Sequence, residues 1–261
     1  MAAISHDSAA VLKHFAERRE IHYPLLSDPD SSAIRAFGIL NEQIPKTHPF
    51  HGIPHPVNYV VSADGIVQAR FFEEDYRERA TATQMLVRHF GQDLKGGAGE
   101  AATRHLKAAW WASAATVRSG QRISLTLDVE LKPGMHVYAP GVEGYIAIDW
   151  QMGASDGWRP HAAAYPPSEK LHLAAIQETV PVYRGRLRLV CDLTLGPIKA
   201  VKAAASASGD LVVAATLRYQ ACDDKQCFLP ETVPIEWRFR LEDHDSQRVP
   251  EELRRKPPQQ P

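Results

Sequence analysis

The sequence is poor in cysteine: its 261 residues contain three, Cys191, Cys222 and Cys227. Three cysteines are too few for a domain held together by several disulfides, so the fold must depend on packed apolar cores. Apolar residues make up 44% of the chain, which is enough to build such cores. The length predicts one or two domains.

Long apolar runs and an excess of one charge are also missing. No apolar run approaches the about 20 residues of a membrane-spanning helix, so we expect no membrane span. The N-terminal stretch MAAISHDSAAVLKHF lacks the basic and apolar segments of a signal peptide. The 30 basic residues stand against 31 acidic ones, a net charge of −1. This balance creates no field that would attract nucleic acid, and we predict no nucleic-acid partner.

Helix-like and strand-like segments alternate in residues 1–92. Apolar residues at helical spacing follow Ser8, the candidate N-cap of a helix over residues 8–20. Residues 57–72 predict a β-hairpin that turns at Asp64-Gly65, and residues 78–90 predict a closing helix. We expect an α/β domain over residues 1–92, followed by a Gly-rich linker over residues 93–103.

The apolar period changes to two after this stretch. Apolar residues alternate with polar ones in ISLTLDVEL (123–131), LRLVCDLTL (187–195) and VPIEWRFRL (233–241). Strands of this kind, separated by Gly and Pro turns, predict an antiparallel β-sandwich over residues 104–243. The charged, Pro-rich residues 244–261 predict a disordered tail.

Cys222 and Cys227 are separated by the four residues DDKQ. On one helix the two side chains would lie roughly 140° apart around the axis and ~7.5 Å apart along it, a poor geometry for a disulfide. Across a four-residue hairpin loop they would be directly opposed, with Cα atoms ~4.5–5.5 Å apart. Disulfides need roughly 4.4–6.8 Å. The spacing therefore favours a bridge across the mouth of a hairpin.

Three interpretations of this pair remain open from spacing alone. It is a structural staple, a redox-active bridge or, less in keeping with the spacing, half of a zinc site, because common zinc sites use closer cysteines and a second ligand pair. Asp223 and Asp224 disfavour a thiolate beside them, an effect that Lys225 offsets in part. The cysteines are therefore poor first nucleophiles and better suited to forming a disulfide that another thiolate attacks.

The strand period places the cysteines on different faces. In DLVVAATLRYQAC the apolar face runs from Leu211 to Tyr219, and Cys222 falls in the other register. Cys222 is therefore expected to point away from the core. Cys191 lies on the apolar face of its own strand and is interpreted as a buried small hydrophobe.

Three segments resemble one family, in the same order along the chain. YQACDDKQCFLPETVPIEW resembles the active-site hairpin of the N-terminal, periplasmic domain of the thiol:disulfide interchange protein DsbD. LKPGMHVYAPGVEGYIAIDW (131–150) resembles that family's Pro-Gly-x-His-x-Tyr segment, and YPPSEKLHLAAIQETVPVYRG (165–185) its cap region. The resemblance, over residues 105–243, implies an immunoglobulin-like sandwich. It also implies that Cys222 and Cys227 are the redox pair, with Tyr138 and Tyr219 lining the site.

The cap region departs from the family pattern. The family's cap usually carries an aromatic residue that shields the disulfide. The corresponding stretch here offers Leu171, Leu173 and Ile176. We therefore expect weaker or aliphatic shielding. For His136 and Tyr138 of the second motif, ordinary strand packing is the competing interpretation.

The N-terminal half is similar to AhpC/TSA-type peroxiredoxins and related thioredoxin-like proteins. The similarity rests on ISHDSAAVLKHFAERREIHYPLLSDPDSSAIRAFGILN and GIPHPVNYVVSADGIVQARFFEEDYRERATA. It implies an incomplete thioredoxin-like α/β domain in which Pro56 lies before the strand that faces the active site. In such folds this proline is often cis, and an ordinary turn proline is the alternative.

The family's nucleophilic cysteine has no counterpart here. Residues 1–100 contain no cysteine, so we expect no peroxidase activity. We favour a truncated start over a degenerate domain, because the missing strand and helix would precede AISHDS. Losing a central strand exposes sheet edges, so this half should be the less stable one. His48, His51 and His55 lack interleaved carboxylates and predict no metal site.

Two functions remain from the sequence. The first is thiol–disulfide exchange through Cys222 and Cys227, without a cofactor, with a thioredoxin-like partner protein bound through a mixed disulfide. The second is a non-catalytic interaction module whose disulfide is structural. The resemblance to DsbD implies a periplasmic or extracytoplasmic location, where such pairs exchange.

Overall fold

The computed structural model describes residues 1–48, 50–75, 77–173 and 177–254. The chain divides into two compact units. One comprises residues 1–79 and the described part of the segment from Asp245 onward, and the other comprises residues 80–244. The described helices include none that is long and apolar enough to cross a bilayer.

The first unit contains short helices and strands. In chain order they are β1 (Ala3–Ser5), α1 (Ala9–Arg18), β2 (Leu25–Ser27), α2 (Ser32–Ala36), β3 (Val57–Val61) and β4 (Val67–Phe72), with β5 (Arg79–Ala80) at the boundary between the units. The predicted helix after Ser8 is confirmed, because the Ser8 hydroxyl accepts a hydrogen bond from the backbone N–H of Val11. The predicted hairpin is confirmed as the antiparallel pair β3–β4. Strands β1 and β2 pair in parallel.

The second unit consists mainly of strands. They are α3 (Ala82–Phe90), β6 (Gly96–Ala102), β7 (Leu106–Ala112), β8 (Thr116–Val117), β9 (Gln121–Leu131), β10 (His136–Tyr138), β11 (Asp149–Met152), β12 (Trp158–Pro160), β13 (Glu169–Leu173), β14 (Glu178–Arg184), β15 (Arg186–Leu195), α4 (Ile198–Ala204), β16 (Asp210–Tyr219), β17 (Ala221–Cys222) and β18 (Glu231–Leu241). A short 3₁₀ turn, Glu251–Leu253, follows in the first unit.

Two sheets of the second unit share one apolar core. The first runs in the order β12-β15-β9-β7-β6 and the second in the order β11-β16-β18-β8. Their pairs are antiparallel except for the short β8, which pairs with β18 in parallel. The predicted alternation is confirmed: the apolar side chains of β9 and those of β18 up to Phe239 are buried in the common core. The expected immunoglobulin-like sandwich is therefore present.

A third sheet, which we call the cysteine sheet, runs in the order β13-β14-β10-β17. Its strand β10 is only three residues long and is paired on both sides, with β14 and with β17. Val137 faces the main core, whereas its neighbours His136 and Tyr138 lie outside that core's side-chain cluster, as the period of two requires. This sheet carries the cysteine pair at its β17 edge.

The linker expected over residues 93–103 is wrong. Residues 96–102 form β6, which pairs with β7 in the first sandwich sheet. A Cβ atom on Gly99 would lie 2.6 Å from Cε2 of Trp110, so the glycine is required by close packing rather than by flexibility. The predicted closing helix α3 belongs to the second unit, where Gln84 donates a hydrogen bond to Asp192 of β15. The boundary between the compact units accordingly falls at residues 79–80 instead of 92.

The expected tail also begins with ordered contacts. Nε2 of His244 lies 2.9 Å from the carbonyl oxygen of Ser119, and Asp245 forms an ion pair with Arg18 at 2.8 Å. The Asp245 carboxyl has a lowered pKa, chiefly because it accepts a hydrogen bond from the Gln247 N–H. Disorder is therefore the wrong expectation for residues 244–254, and residues 255–261 lie outside the described residues.

Candidate functional site

Cys222 and Cys227 form a disulfide across the mouth of a hairpin. Their Cα atoms lie 4.0 Å apart, and the two residues form an antiparallel bridge. The backbone N–H of Asp223 donates to the carbonyl of Gln226, and that of Phe228 donates to the carbonyl of Ala221. The predicted hairpin is thus confirmed.

The loop between the cysteines is held by one of its own side chains. Oδ1 of Asp223 accepts hydrogen bonds from the backbone N–H groups of Lys225 and Gln226, each at 2.8 Å. These bonds, that of Lys225 first, lower the pKa of the Asp223 carboxyl. The loop is therefore an Asx turn, which fixes the backbone leading to Cys227 together with the hairpin bonds to β17.

The two sulfur-bearing residues differ in their access to solvent. Cys222 is 1% exposed, whereas Cys227 is exposed. Cys222 packs in a small cluster with Tyr138, Val180 and Val182, separate from the main core. The predicted orientation of Cys222 away from the main core is confirmed, and the structure adds that a second apolar layer covers it. Of the two cysteines, Cys227 is therefore the one that solvent reaches.

Tyr138 lies directly beside the disulfide. Its hydroxyl is 3.6 Å from Sγ of Cys227. Its ring stacks on Tyr145 with centroids 4.4 Å apart, and the Tyr145 hydroxyl donates to Glu178 at 2.8 Å. Burial, and then the charge of Glu178, raise the pKa of the Tyr138 hydroxyl. The group therefore stays protonated at neutral pH and can donate a hydrogen bond to sulfur.

The sequence did not single out Tyr145 and Glu178. The residues lie 33 positions apart, on a loop and on β14, and no local pattern links them. The two residues could be found only from their proximity to Tyr138. That proximity depends on how β14 pairs with β10, which the sequence does not show. His136, two residues before Tyr138 on the same face of β10, directly opposes Cys222.

Tyr219 and Pro56, the other two residues predicted to line the site, make no contact with the disulfide like that of the Tyr138 hydroxyl. Tyr219 is fully buried in the main core, and its hydroxyl bonds with Thr103 at 2.7 Å and donates to Glu231 at 2.8 Å. Pro56 belongs to the first unit, where its carbonyl accepts a hydrogen bond from the N–H of Glu73. The peptide bonds of the described residues are all trans, including the one before Pro56.

Cys191 is confirmed as a buried residue of the main core. Its thiol donates to the carbonyl of His161 at 3.1 Å. Burial, and then the charge of Asp192, raise the pKa of the thiol to about 11. Cys191 is therefore neither ionised nor accessible near neutral pH.

Aliphatic side chains shield the site from the cap side. Leu171 and Leu173 of β13 pack against the cluster that contains Cys222. Ile176, the third residue expected there, lies outside the described residues.

Two histidines of the first unit make hydrogen bonds with the backbone. Nδ1 of His48 accepts a hydrogen bond from the N–H of Phe50, and Nδ1 of His51 lies 3.1 Å from the carbonyl oxygen of Ile44.

Two family models match the chain. The family described as thiol:disulfide interchange protein DsbD, N-terminal, matches residues 104–236, just over half of the chain. The AhpC/TSA family matches residues 1–70, so the first unit is the thioredoxin-like part. No curated protein matches the chain.

Similar solved structures include the following two. The N-terminal periplasmic domain of ScsB from Proteus mirabilis is 14% identical, with a TM-score of 0.37; the match covers 56% of this chain and 52% of that one. The DsbD N-terminal domain of Neisseria meningitidis, in the reduced form, is 12% identical, with a TM-score of 0.30, and the match covers 43% of this chain and 74% of that one. The chain thus spans about half the length of the ScsB domain.

Proposed function

Because this chain belongs to the family of the N-terminal domain of thiol:disulfide interchange protein DsbD, we propose that its sandwich relays electrons through Cys222 and Cys227. The family and the disulfide assign the chain to thiol–disulfide exchange proteins. The observation that carries the proposal is the asymmetry of the bridge. An exposed cysteine is bonded to a buried one, so an incoming thiolate has one accessible target.

The exchange proceeds by two substitutions at sulfur. A partner thiolate attacks Sγ of Cys227, a bond forms between the two sulfurs, and the electron pair of the Cys222–Cys227 bond leaves on Sγ of Cys222. A second thiolate of the partner then attacks its own sulfur in the mixed disulfide and releases Cys227 as a thiolate. The partner dithiol is oxidised and the cysteine pair is reduced. The reverse sequence returns the two electrons to an oxidised acceptor.

The surroundings of Cys227 favour receiving an attack over delivering one. Asp224 is exposed beside it, and the carboxylate of Asp223 is fixed in the loop. Negative charge near a sulfur disfavours its thiolate. The resting form that suits this site is therefore the disulfide, which a more acidic thiol of the partner opens.

The partner that fits this chemistry is a thioredoxin-like protein carrying two cysteines. Exchange requires no cofactor, because both electrons move with sulfur. The first unit has no cysteine and supplies no thiol, so a thiol-dependent peroxidase step has no place in the proposal. We propose a periplasmic or extracytoplasmic setting, where disulfides of this kind persist and exchange.

The test is a thiol-trapping titration of the full chain in graded glutathione buffers, read by mass. A midpoint in the range of about −180 to −300 mV supports exchange, whereas structural disulfides lie below about −300 mV. A pair that stays oxidised at every poise would assign the chain to the alternative, an interaction module with a structural disulfide. Cys191 serves as the internal standard, because it should be trapped only after denaturation.

Single-cysteine variants identify the attacked sulfur. The variant Cys222→Ser keeps the accessible thiol and should form a mixed disulfide with oxidised glutathione at least about tenfold faster than Cys227→Ser, whose remaining thiol is buried. Equal rates would contradict the assigned roles of the two cysteines. If the disulfide is only a staple, both variants should mainly lose stability, by roughly 2–5 kcal/mol.

A further inference from the structure

His136 is a deeply buried titratable group on the strand that lies beside the disulfide. It begins strand β10, is 2% exposed, and opposes Arg184 of β14 on one side and Cys222 of β17 on the other. Directly opposed residues of an antiparallel pair place their side chains on the same face, with Cβ atoms about 4.5–5.5 Å apart. His136, Tyr138 and Cys222 therefore share the face of the cysteine sheet that carries the disulfide.

One ring nitrogen of His136 has no hydrogen-bond partner. Nε2 is buried and makes no bond with any group in the part of the chain that the structure describes. An unsatisfied buried polar group costs about 1–3 kcal/mol, so a partner that this nitrogen gained in another state of the site would be stabilising. His136 is paired with Cys222 across the strands. The Cys222 sulfur becomes a hydrogen-bond acceptor when the disulfide opens, so it is a candidate partner for this nitrogen.

Burial, and then the charge of Arg184, lower the pKa of His136 and favour its neutral ring. Asp224 and Asp223 of the hairpin loop act in the opposite direction, and Tyr138 contributes an edge-to-face ring contact at 5.8 Å. A neutral imidazole still carries one N–H, so it can donate a hydrogen bond without bringing a full charge into the site.

We propose that His136 is the positioning residue for the leaving sulfur: its imidazole N–H donates a hydrogen bond to Cys222 when the bond to Cys227 breaks. This inference rests on the proposed function, because a permanently closed disulfide would have no leaving sulfur. The electron pair of the broken bond resides on Sγ of Cys222, and no proton needs to move. A thiolate buried among Tyr138, Val180 and Val182 would otherwise have little stabilisation.

This role complements that of Tyr138. The Tyr138 hydroxyl lies 3.6 Å from Sγ of Cys227, and His136 is paired with Cys222, so each cysteine would have its own donor once the bridge opens. A better stabilised leaving thiolate leaves faster, because exchange rates rise as the pKa of the leaving thiol falls. His136 would thus determine how readily the buried half of the pair gives up its bond.

The first measurement is the pKa of the Cys222 thiol in reduced Cys227→Ser protein, followed by thiolate ultraviolet absorbance. Cys191 does not interfere below its own pKa of about 11. Adding His136→Phe should raise the pKa of the Cys222 thiol by roughly one unit, whereas His136→Gln, which keeps an N–H donor, should change it by less than about half a unit. An unchanged pKa in the His136→Phe variant would overturn the proposal.

The second measurement is the rate at which dithiothreitol reduces the oxidised full chain, expressed per attacking thiolate, as a function of pH. His136→Phe should slow this reduction roughly tenfold. In the wild type the rate constant should rise as the pH falls through the lowered pKa of His136, because imidazolium is the stronger donor, and His136→Gln should abolish this rise. A wild-type profile in His136→Gln would contradict the inference, even if His136→Phe does not fold.

The matched control is His161→Phe, a histidine that contacts Thr194 in the first sandwich sheet. It should leave both the Cys222 pKa and the rate profile unchanged. The thiol pKa does not require a redox partner, so the two proposals can fail separately. If the cysteine pair is never reduced but the Cys222 pKa still depends on His136, the proposed electron relay is contradicted. If the pair is reduced normally and neither the Cys222 pKa nor the reduction rate depends on His136, only the present inference is contradicted.

Discussion

At the scale of single residues, identical side chains in this chain have different chemistry because of their surroundings. Cys222 and Cys227 belong to one disulfide, yet one is covered and the other is exposed. Tyr138 and Tyr219 are both nearly inaccessible, but only the hydroxyl of Tyr138 reaches a sulfur. The site is therefore defined by strand faces and loop geometry rather than by residue type.

Tyr138→Phe should weaken the second half of the exchange. The substitution keeps the ring that stacks on Tyr145 and removes the hydroxyl beside Cys227. In the proposed exchange, that hydroxyl would stabilise the Cys227 sulfur as it leaves the mixed disulfide. A hydrogen bond worth about 1 kcal/mol predicts a roughly fivefold slower resolution of the mixed disulfide. The measurement uses the glutathione adduct of the Cys222→Ser protein, in which no second cysteine competes. Excess glutathione attacks the glutathione sulfur of the adduct, and the rate of glutathione disulfide formation reports Cys227 leaving as a thiolate.

Tyr219→Phe is the matched control for this prediction. It removes a buried hydroxyl that bonds to Thr103 and Glu231, away from the sulfurs. It should lower the free energy of unfolding by about 1–2 kcal/mol and leave the exchange rate unchanged. The assignment of Tyr138 to the site would be wrong if the two variants slowed exchange equally.

At the scale of elements, close packing rather than local propensity decides what residues 96–102 become. A Gly-rich segment has little tendency to form a strand. It is a strand here because the ring of Trp110 lies against Gly99, and Nε1 of Trp110 donates to the carbonyl of Glu236 in the opposite sheet. The glycines are thus part of how β6 joins the sandwich.

Gly99→Ala should destabilise the protein. The added methyl group would clash with the Trp110 ring, and overpacking of this kind costs about 1–3 kcal/mol in the free energy of unfolding. If residues 93–103 were a flexible linker, the same change would be neutral or stabilising by about 0.4–1 kcal/mol. Urea unfolding distinguishes the two, with Glu100→Ala, an exposed neighbour on β6, as the control expected within about 0.5 kcal/mol of the wild type.

At the scale of the whole molecule, the two compact units differ in how much structure supports them. The long strands of the second unit bury a continuous core, whereas the first unit contains the two-stranded sheets β1–β2 and β3–β4. Two-stranded sheets are marginally stable unless other elements pack on them. The first unit is therefore expected to open more easily.

Native-state hydrogen exchange of the full chain tests this expectation. Backbone amides of β9, β15, β16 and β18 should exchange most slowly, and those of β3 and β4 at least about tenfold faster. Helix α3 is the internal control, because it should be protected together with the second unit, which contains it. Protection of β3 and β4 equal to that of β9 would contradict the expected order of stability.

The sequence by itself determined the strands and the cysteine hairpin. Alternating apolar residues in β9, β15, β16 and β18 bury one face of each strand, a property that follows from the side-chain period alone. The five-residue separation of Cys222 and Cys227 was enough to predict that they oppose each other in a hairpin. The alternation of side chains along the preceding strand was enough to predict that Cys222 points away from the main core. These are local properties, which neighbouring residues specify.

Only the tertiary structure decided the features that depend on distant segments. β6 is a strand because Trp110 and Glu236 lie beside it, and α3 belongs with the sandwich because Asp192 accepts a hydrogen bond from Gln84. The sequence motifs predicted both Tyr138 and Tyr219 as site residues, but of the two only the Tyr138 hydroxyl lies beside a sulfur. The pairing of β10 with β17 also places His136 opposite Cys222. Such neighbours are set by sheet register across tens of residues, which composition and spacing do not encode.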